Sequence, residues 1–456
     1  MISKRFRKRK LVSLFDGVGC FPLAFANKIG IDKKDLDYLS SEIEPFLIGI
    51  LEEQFKNVKQ LYDIEKVDVK SLNGDIITMG TPCTGFSVSG KRDGLQNVES
   101  KLFVNGVEAI KKIKPEYFVW ENVFGVYSAG QRSEFREILH YFKETGYDLA
   151  WTLLDTKFFG IPQRRRRLFM IGVKSGLPKN NNIFDIKERQ SKELLKEEKA
   201  FDDHFEFDFN KKSTNPEDHF AFYNRQRSDK FKEIGISNTI AKRDFKGSTD
   251  VVIKNGSIRR VVPKERLRLQ GIPDDFFDST YKNQKGDKPR FQANGMSVPV
   301  VEYVFEQLNK IDGNTHLTEV DYDKEVFISK DIREEYREAP KKTKPDELPK
   351  FKQIPYTGQM FFKRDEDGNI LDHEEVEFHF AKRCVESSPV MKAVTIDNIL
   401  LDEVEEKYHL SEKTLEGFIR RSHTSKLPLP EKMREVMFHK YPNLIEYDKK
   451  MEEEYK

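Results

Sequence analysis

The sequence predicts a doubly wound α/β domain with a mostly parallel sheet, running from Lys10 to about Gln307. Short apolar strands alternate there with helical stretches, which is typical of this fold class. A glycine-rich turn follows the first strand, at the position where such domains bind a nucleotide-like ligand. Since domains average roughly 100–200 residues, a chain of 456 residues has room for further units.

Short apolar runs and two helices define the alternation. The predicted strands are Leu11–Phe15, Ile76–Met79, Tyr117–Trp120 and Leu168–Ile171, and apolar order resumes later at Val251–Ile253. One helix begins at Pro45, because proline suits a first helical position. Its apolar face is formed by Leu47, Ile50, Leu51 and Phe55. A second helix, around Val300–Phe305, closes the domain.

The alternation stops after Gly172 and resumes at Val251. We therefore assign residues 1–173 and 251–310 to the main domain and residues 174–250 to a small inserted module. The polar, proline-bearing stretch Lys341–Lys350 is typical of a linker. Residues 311–456 form a C-terminal extension, helical from about Ile396 to Tyr441, that either binds a partner or DNA or packs as an appendage.

Charge and composition limit the classes of protein. Residues 311–456 carry −8, which leaves +10 on residues 1–310 of the total of +2. The basic body fits a partner with phosphates, although solvated surface charge explains it equally well. Because no apolar run reaches the ~18 residues of a membrane span, we expect a cytoplasmic protein without a membrane partner. Three distant cysteines provide neither a disulfide framework nor a metal site.

The turn after the first strand contains Gly17 and Gly19, and glycines there let the backbone approach a ligand closely. Glu42 follows Gly19 by about the ~20 residues that separate such a turn from a ribose-binding carboxylate. The full G-x-G-x-x-G fingerprint is absent, which disfavours a nicotinamide cofactor and favours another nucleoside-bearing one.

Three further segments at the ends of predicted strands carry reactive or charged groups. Cys83 is a candidate nucleophile, with a buried packing cysteine as the alternative. Glu121 ends a strand that should be buried, where carboxylates are rare without a partner or a task. Four arginines, Arg164 to Arg167, lead into another strand and predict contact with phosphate or carboxylate.

These motifs, in this order, resemble those of the DNA cytosine-5 methyltransferases over about Leu11 to Phe305. The matching segments are Phe15-x-Gly17-x-Gly19, Glu42-Ile43, Pro82-Cys83 with Phe86-Ser87, Glu121-Asn122-Val123, Gln163-x-Arg165-x-Arg167, Arg266 to Asp274, and Asn294 with Ser297 to Val300. The chain departs from the family pattern where Cys20, Glu99 and Ala293 replace glycine, arginine and glycine.

The resemblance implies a Rossmann-like methyltransferase domain that binds S-adenosylmethionine and releases S-adenosylhomocysteine. It assigns Glu42 to the ribose, Ile43 to the adenine face and Asp63 to the adenine amino group. The implied cofactor-binding residues are Phe15, Gly17, Gly19, Glu42, Ile43, Asp63, Pro82, Asn294 and Ser297.

The resemblance also implies a catalytic set of Cys83, Glu121 and Arg165. The Cys83 thiolate would add to carbon 6 of cytosine, which makes carbon 5 nucleophilic enough to accept the methyl group. Glu121 would stabilise ring nitrogen 3, and Arg165 would hold the base oxygen and support the loop. No metal takes part in this scheme.

Duplex DNA is the implied substrate, with residues 174–250 as the target-recognition domain and the cytosine flipped out of the helix. The basic arm Lys4–Lys10 is either a phosphate contact or a solubilising tail. Thr239 either packs on the flipped nucleotide's backbone or is an ordinary strand threonine. For each recognition-domain residue, base or phosphate contact and solvated surface stay open. The expected nucleic-acid contacts are Ser87, Arg164, Arg167, Arg225, Arg227, Thr239, Lys242 and Arg243.

Two other functions compete with this interpretation. One is a tRNA cytosine-5 methyltransferase, against which the inserted module argues. The other is a catalytically silent DNA-binding relative, against which the intact Cys83, Glu121 and Arg165 argue. We expect a monomer that acts beside a cognate restriction endonuclease, in a phage or as an orphan enzyme.

Overall fold

The structure is a computed structural model that describes residues 2–81, 98–128, 133–177, 183–184, 221–224, 232–234, 237–240, 250–278, 295–313, 323–329, 357–373, 375–380 and 399–455. The chain divides into two compact units. Unit 1 comprises Met1–Asp155, Arg166–Glu188 and Val298–Pro389, and unit 2 comprises Thr156–Arg165, Arg189–Ser297 and Val390–Lys456. The residues expected to form one C-terminal extension therefore belong to both units.

Strands and helices are numbered along the chain. The described strands are β1 (Leu11–Leu14), β2 (Tyr38–Ser41), β3 (Val58–Gln60), β4 (Ile76–Gly80), β5 (Tyr117–Val123), β6 (Asp148–Asp155), β7 (Arg166–Val173), β8 (Ala221–Asn224), β9 (Lys232–Ile234), β10 (Val251–Lys254), β11 (Ser257–Arg260), β12 (Asp323–Ser329), β13 (Gly358–Phe362) and β14 (Val376–Phe380). The described α-helices are α1 (Cys20–Ile29), α2 (Pro45–Gln54), α3 (Val98–Ile113), α4 (Phe124–Ser128), α5 (Ser133–Lys143), α6 (Pro263–Arg268), α7 (Val298–Asp312), α8 (Glu412–Ser425), α9 (Glu431–Lys440) and α10 (Asn443–Glu454).

Unit 1 contains a sheet whose described strands follow the order β12-β14-β13-β6-β7-β5-β4-β1-β2-β3. The five strands β3, β2, β1, β4 and β5 are parallel to one another. The carboxyl ends of these strands share one edge, which is the ligand-binding edge of such sheets. In the described part of the chain, no helix is long and apolar enough to cross a membrane.

The predicted apolar segments form these elements and bury their side chains. All four predicted strands are confirmed, and so are the helices that begin at Pro45 and contain Val300. The apolar face of α2 is confirmed as well, because Leu47, Ile50 and Leu51 are at most 3% exposed. Buried side chains of α3 and α5 join those of the central strands in one apolar core. The parallel half of the sheet is thus the doubly wound part of the fold.

The expectation of a mostly parallel sheet is wrong for the other half. β7 lies between β5 and β6 and is antiparallel to both. Only residues 156–165 connect β6 to β7, and a parallel pair needs a longer crossover than an antiparallel pair. The short connection therefore reverses the chain direction at β7.

Part of the expected extension lengthens the same sheet. β13 pairs with β6, and β14 and β12 follow it, all antiparallel. Asp148 ties β13 to β6, because its carboxylate accepts the Phe362 N–H at 3.0 Å and pairs with Arg364 at 3.2 Å. Residues 357–380 are thus integral to unit 1.

Unit 2 contains a second sheet, with the described strand order β11-β10-β8-β9. Val251 and Ile253 of β10 pack in one apolar cluster with buried side chains of α8, α9 and α10. Val252, which points to the opposite face of the strand, packs instead with Ile161 and Ile240. Strand β10 is therefore buried on both faces, and the C-terminal helices pack against one of them.

A buried ion pair joins β11 to the segment that precedes these helices. Arg259 and Glu265 are at most 2% exposed and make two hydrogen bonds, at 2.7 and 3.0 Å. Glu265 also accepts the Leu401 N–H at 2.8 Å, and Arg259 donates to the Leu401 oxygen at 3.0 Å. These bonds satisfy both buried charges, which would otherwise be strongly destabilising.

Ile419→Ala should lower the free energy of unfolding by about 2–5 kcal/mol, because Ile419 is fully buried in the cluster beneath α8. The matched control is Ile445→Ala, which removes the same atoms from a side chain that is 41% exposed and should cost less than about 0.5 kcal/mol. Urea titration of the full chain, followed by circular dichroism, measures both. Equal losses would contradict the packing described for unit 2.

Candidate active site

The predicted glycine loop lies between β1 and α1, at the carboxyl edge of the sheet. Phe15, Gly17 and Gly19 have φ values of 54°, 60° and 76°, a left-handed conformation that favours glycine. A Cβ at Gly19 would lie 2.6 Å from Leu51 Cδ2. Glycine is therefore required there both by backbone conformation and by the close approach of α2.

Glu42 holds this loop against the end of β2. Its carboxylate accepts the N–H groups of Gly17 at 2.7 Å, Ile43 at 2.8 Å and Glu44 at 2.9 Å. Burial nevertheless raises the pKa of Glu42 above its ordinary value. Ile43 is 70% exposed beside it and presents an open apolar surface.

The other predicted cofactor residues have varied surroundings. Asp63 follows Tyr62, which has a φ of 57°, and its side chain accepts the Glu65 N–H at 3.1 Å. It thus caps the short 3₁₀ helix Ile64–Lys66. Ser297 is buried directly before α7. Pro82 and Asn294 lie outside the described residues.

The predicted nucleophile loop, which contains Cys83 and Ser87, lies outside the described residues. The residue at its start, Thr81, is held by two side chains of β5. Trp120 Nε1 donates to Thr81 Oγ1 at 2.9 Å, and Asn122 Nδ2 donates to the same oxygen at 3.1 Å. The residue that leads into the loop is therefore fixed to the strand that carries Glu121.

Arg167, rather than Arg165, is the arginine that pairs with Glu121. Arg167 Nε lies 3.1 Å from Glu121 Oε1, and both side chains are largely buried. Val123 of β5 is opposite Arg167 of β7, so Glu121, two residues away, shares the same face. Arg167 was expected only to contact nucleic acid, because the motif does not reveal how β5 and β7 are aligned.

Arg165 has different partners within unit 2. Its guanidinium donates to the Ile240 oxygen at 3.2 Å and the Gly295 oxygen at 2.8 Å. Arg164 is exposed, and its backbone oxygen accepts the Thr239 hydroxyl at 2.7 Å. Unit 2 thus brings together Arg164, Arg165 and Thr239. The predicted contacts Arg225, Arg227, Lys242 and Arg243 lie outside the described residues.

The basic N-terminal arm is anchored through Arg9 at the opposite edge of the unit 1 sheet. Arg9 Nε donates to Asp312 Oδ1 at 3.2 Å, and Arg9 Nη1 lies 3.3 Å from Asp75 Oδ1. Tyr117 donates its hydroxyl to the same Asp312 oxygen at 3.0 Å. Arg9 and Asp75 precede β1 and β4, so Arg9 supports the sheet at the strand ends remote from the glycine loop.

Comparisons with known proteins show which family the chain resembles. The family model described as C-5 cytosine-specific DNA methylase matches residues 9–310. The Type II methyltransferase M1.ScrFI of Lactococcus lactis subsp. cremoris is 26% identical over 68% of this chain and 80% of its own. The Type II methyltransferase M.NgoBI of Neisseria gonorrhoeae is 28% identical over 64% of this chain and 90% of its own. The orphan methyltransferase M.SPRI of Bacillus phage SPR is 35% identical over 38% of this chain and 39% of its own.

The α/β sheet, its glycine loop and the family match define an S-adenosylmethionine-dependent methyltransferase of Rossmann-like fold. Within that class, the chain belongs to the C-5 cytosine-specific DNA methylase family, whose model matches about two thirds of it. The predicted family, fold class and enzyme class are confirmed. Residues 311–456 lie beyond the matched region.

Gly19→Ala should destabilise the protein more than Gly30→Ala. Both glycines have φ near 75°, but only a Cβ at position 19 would meet a neighbour, whereas nothing lies within 4 Å of a Cβ at Gly30. We expect Gly30→Ala to cost about 1–2 kcal/mol for its backbone conformation and Gly19→Ala about 1–3 kcal/mol more for overpacking. Denaturant titration measures both losses. Equal losses would show that α2 does not constrain the loop.

Proposed function

We propose that the protein transfers the methyl group of S-adenosylmethionine to carbon 5 of a cytosine flipped out of a specific duplex DNA sequence. The observation that carries this proposal is the Glu121–Arg167 pair at the carboxyl end of β5. Ionised groups are seldom buried at such a position without a task. The pair suits a site that must bind and polarise a pyrimidine ring.

The residues of the glycine loop fit the proposed cofactor. A Cβ at Gly17 would meet only the Phe15 oxygen, at 4.0 Å, so the loop is open there to the methionine portion, while Gly19 lets the loop pack closely on α2. The Glu42 carboxylate, which holds the Gly17 N–H, would bind the ribose. The exposed Ile43 offers an apolar face for the adenine. When bound, S-adenosylmethionine would supply the activated methyl group. The residues that complete this proposed site are Phe15, Asp63, Pro82, Asn294 and Ser297.

The chain's own residues would perform the remaining chemistry. The Cys83 thiolate adds to carbon 6, and Glu121, protonated or sharing a proton, donates a hydrogen bond to nitrogen 3 as charge develops on the ring. Arg167 holds the base oxygen and keeps Glu121 in place, while Arg165 supports the segment containing Gly295. After methyl transfer a base removes the carbon 5 proton. The electron pair of that bond restores the ring double bond and expels the Cys83 thiolate.

We further propose that the basic residues of both units bind the DNA backbone, which offsets the cost of unstacking the base, about a few kcal/mol. Ser87, Arg164 and Thr239 would contact the nucleotide or its phosphates. The same chemistry would serve in a restriction system, in a phage or as an orphan enzyme, in each case as a cytoplasmic monomer. The DNA target would be a specific sequence. Residues 174–250 would read that sequence, with Arg225, Arg227, Lys242 and Arg243 as candidate contacts.

Nucleoside mass spectrometry tests the proposal. Unmethylated duplex DNA and bulk tRNA are each incubated with S-adenosylmethionine and either the wild type or Cys83→Ala. We expect 5-methylcytosine in DNA only, and none with the variant, because without the thiol the ring is not activated. Modification of tRNA alone would establish the RNA enzyme instead. Modification of neither substrate, by a protein that still binds DNA, would establish a silent binding protein.

A further inference from the structure

A carboxyl group is buried directly beneath the glycine loop. Asp16 is 2% exposed and receives three hydroxyl hydrogen bonds. The donors are Ser13 at 2.6 Å, Ser40 at 2.8 Å and Tyr38 at 3.1 Å. Thr78 donates in turn to the Ser13 hydroxyl at 3.1 Å. Side chains from β1 and β2 thus bond directly to one carboxyl group, and β4 supports it through Ser13.

The backbone of Asp16 is part of the loop itself. Its N–H donates to the Ser41 oxygen at 3.1 Å, and its own oxygen accepts the Gly19 N–H at 3.0 Å. The neighbouring residue Gly17 donates to Glu42 at 2.7 Å. The loop that would hold the methionine portion of the cofactor is therefore attached to the sheet through the Asp16 side chain.

Burial changes the pKa of the Asp16 carboxyl group. Burial, with a smaller contribution from the nearby Glu42 carboxylate, raises the pKa of Asp16 to about 7. The three hydroxyl hydrogen bonds oppose that rise. Among the described residues, the titratable side chains that face it are Glu42 and Tyr38, and burial raises the pKa of both. Tyr38 therefore stays neutral near pH 7, whereas Asp16 titrates.

We propose that Asp16 is a positioning residue whose negative charge makes the loop prefer the methyl donor, which carries a sulfonium cation, over the product, which carries a neutral thioether. This inference rests on the proposed function. S-adenosylmethionine carries a sulfonium cation that S-adenosylhomocysteine lacks, and a carboxylate in a buried setting distinguishes such ligands more strongly than one in water. Loss of the sulfonium on methyl transfer weakens this attraction, which assists release of the product.

The sign of the resulting pH dependence follows from linkage. A bound cation favours ionised Asp16 and lowers its pKa, so binding of S-adenosylmethionine releases a proton near pH 7. The preference for S-adenosylmethionine over S-adenosylhomocysteine should therefore increase with pH. Because S-adenosylhomocysteine lacks the sulfonium, its binding should release fewer protons.

Calorimetric titration of the full chain tests this inference. Each ligand is titrated at pH 6 and at pH 8, in buffers of different ionisation enthalpy, which gives the affinity and the number of protons released. For the wild type we expect the affinity ratio of the two ligands to rise at least about fivefold, with proton release on binding of S-adenosylmethionine. Asp16→Asn should give a ratio that is lower at pH 8 and independent of pH. A wild-type ratio that does not change with pH, or one that changes equally in Asp16→Asn, would overturn the proposal.

Ser13→Ala provides a second variant that keeps the carboxyl group. It removes one hydroxyl whose hydrogen bond lowers the pKa of Asp16, so the pH midpoint of the affinity ratio should move upward. A residue with a merely structural role would not shift this midpoint. If neither ligand binds the wild type, the proposed function fails; if both bind with a ratio independent of pH, only this inference fails.

The protein without ligand gives an independent readout. Because the pKa of Asp16 rises from 3.8 to about 7 on folding, its contribution to stability is present below pH 3.8 and is lost as the pH increases through about 7. Asp16→Asn should therefore lose less stability than the wild type between pH 5 and pH 8. An equal loss in both proteins would mean that Asp16 is already ionised in the folded state over this pH range.

Discussion

The antiparallel pairing of β5 with β7 is the constraint on which the candidate site depends. It places Arg167 opposite Val123 and therefore on the same face as Glu121. Both charged side chains leave the sheet at the edge where the parallel strands end. If β7 slipped by one residue, Arg167 would point to the other face. Apolar burial holds the two strands together, since Phe118 to Trp120 and Leu168 to Ile171 are at most 2% exposed, and the charged residues at their ends distinguish this register from a slipped one.

The same edge shows how a polar site is built upon an apolar sheet. Leu14, Ile77 and Phe118 are fully buried and hold the central strands together, whereas polar and charged groups gather where the strands end. The buried carboxyl groups there have defined partners, as a site shielded from water requires. Asp16 is stabilised by hydroxyls and Glu42 by backbone N–H groups, so two neighbouring carboxyls are tolerated beneath one loop.

Residues 357–373, 375–380 and 399–455 pack into the two units although the family model ends at residue 310. β13 lengthens the unit 1 sheet, and α8 to α10 pack against β10 of the unit 2 sheet. The extension was expected either to bind a partner or DNA or to pack as an appendage, and the packing of its described apolar side chains is compatible with both. Leu415, Ile419 and Met433 are at most 1% exposed and share a core with β10.

Sequence reasoning predicted the local features of this fold but missed features that depend on strand order. The strands, the α2 face and the glycine loop with Glu42 are encoded by short-range patterns of polarity and spacing. The pairing of Arg167 with Glu121 and the convergence of hydroxyls on Asp16 arise between residues far apart in sequence. They depend on which strands are neighbours and in which direction each one runs. The short chain reversal at 156–165 was the available signal for the antiparallel β7.

The proposed chemistry requires Glu121 and Arg167 to act as one catalytic unit. A double-mutant cycle in methyl transfer kinetics measures their coupling. The test cycle uses Glu121→Gln, Arg167→Lys and the double variant. The control cycle combines Glu121→Gln with Arg165→Lys in the same way. General acid–base groups contribute roughly 10²–10⁴-fold to rate. Each single change in the pair should therefore lower kcat strongly. The double variant should lose little more than the worse single variant, because the two residues act together. In the control cycle the two losses should multiply. Losses that multiply for Glu121 and Arg167, or coupling with Arg165 instead, would show that the pair is not a unit.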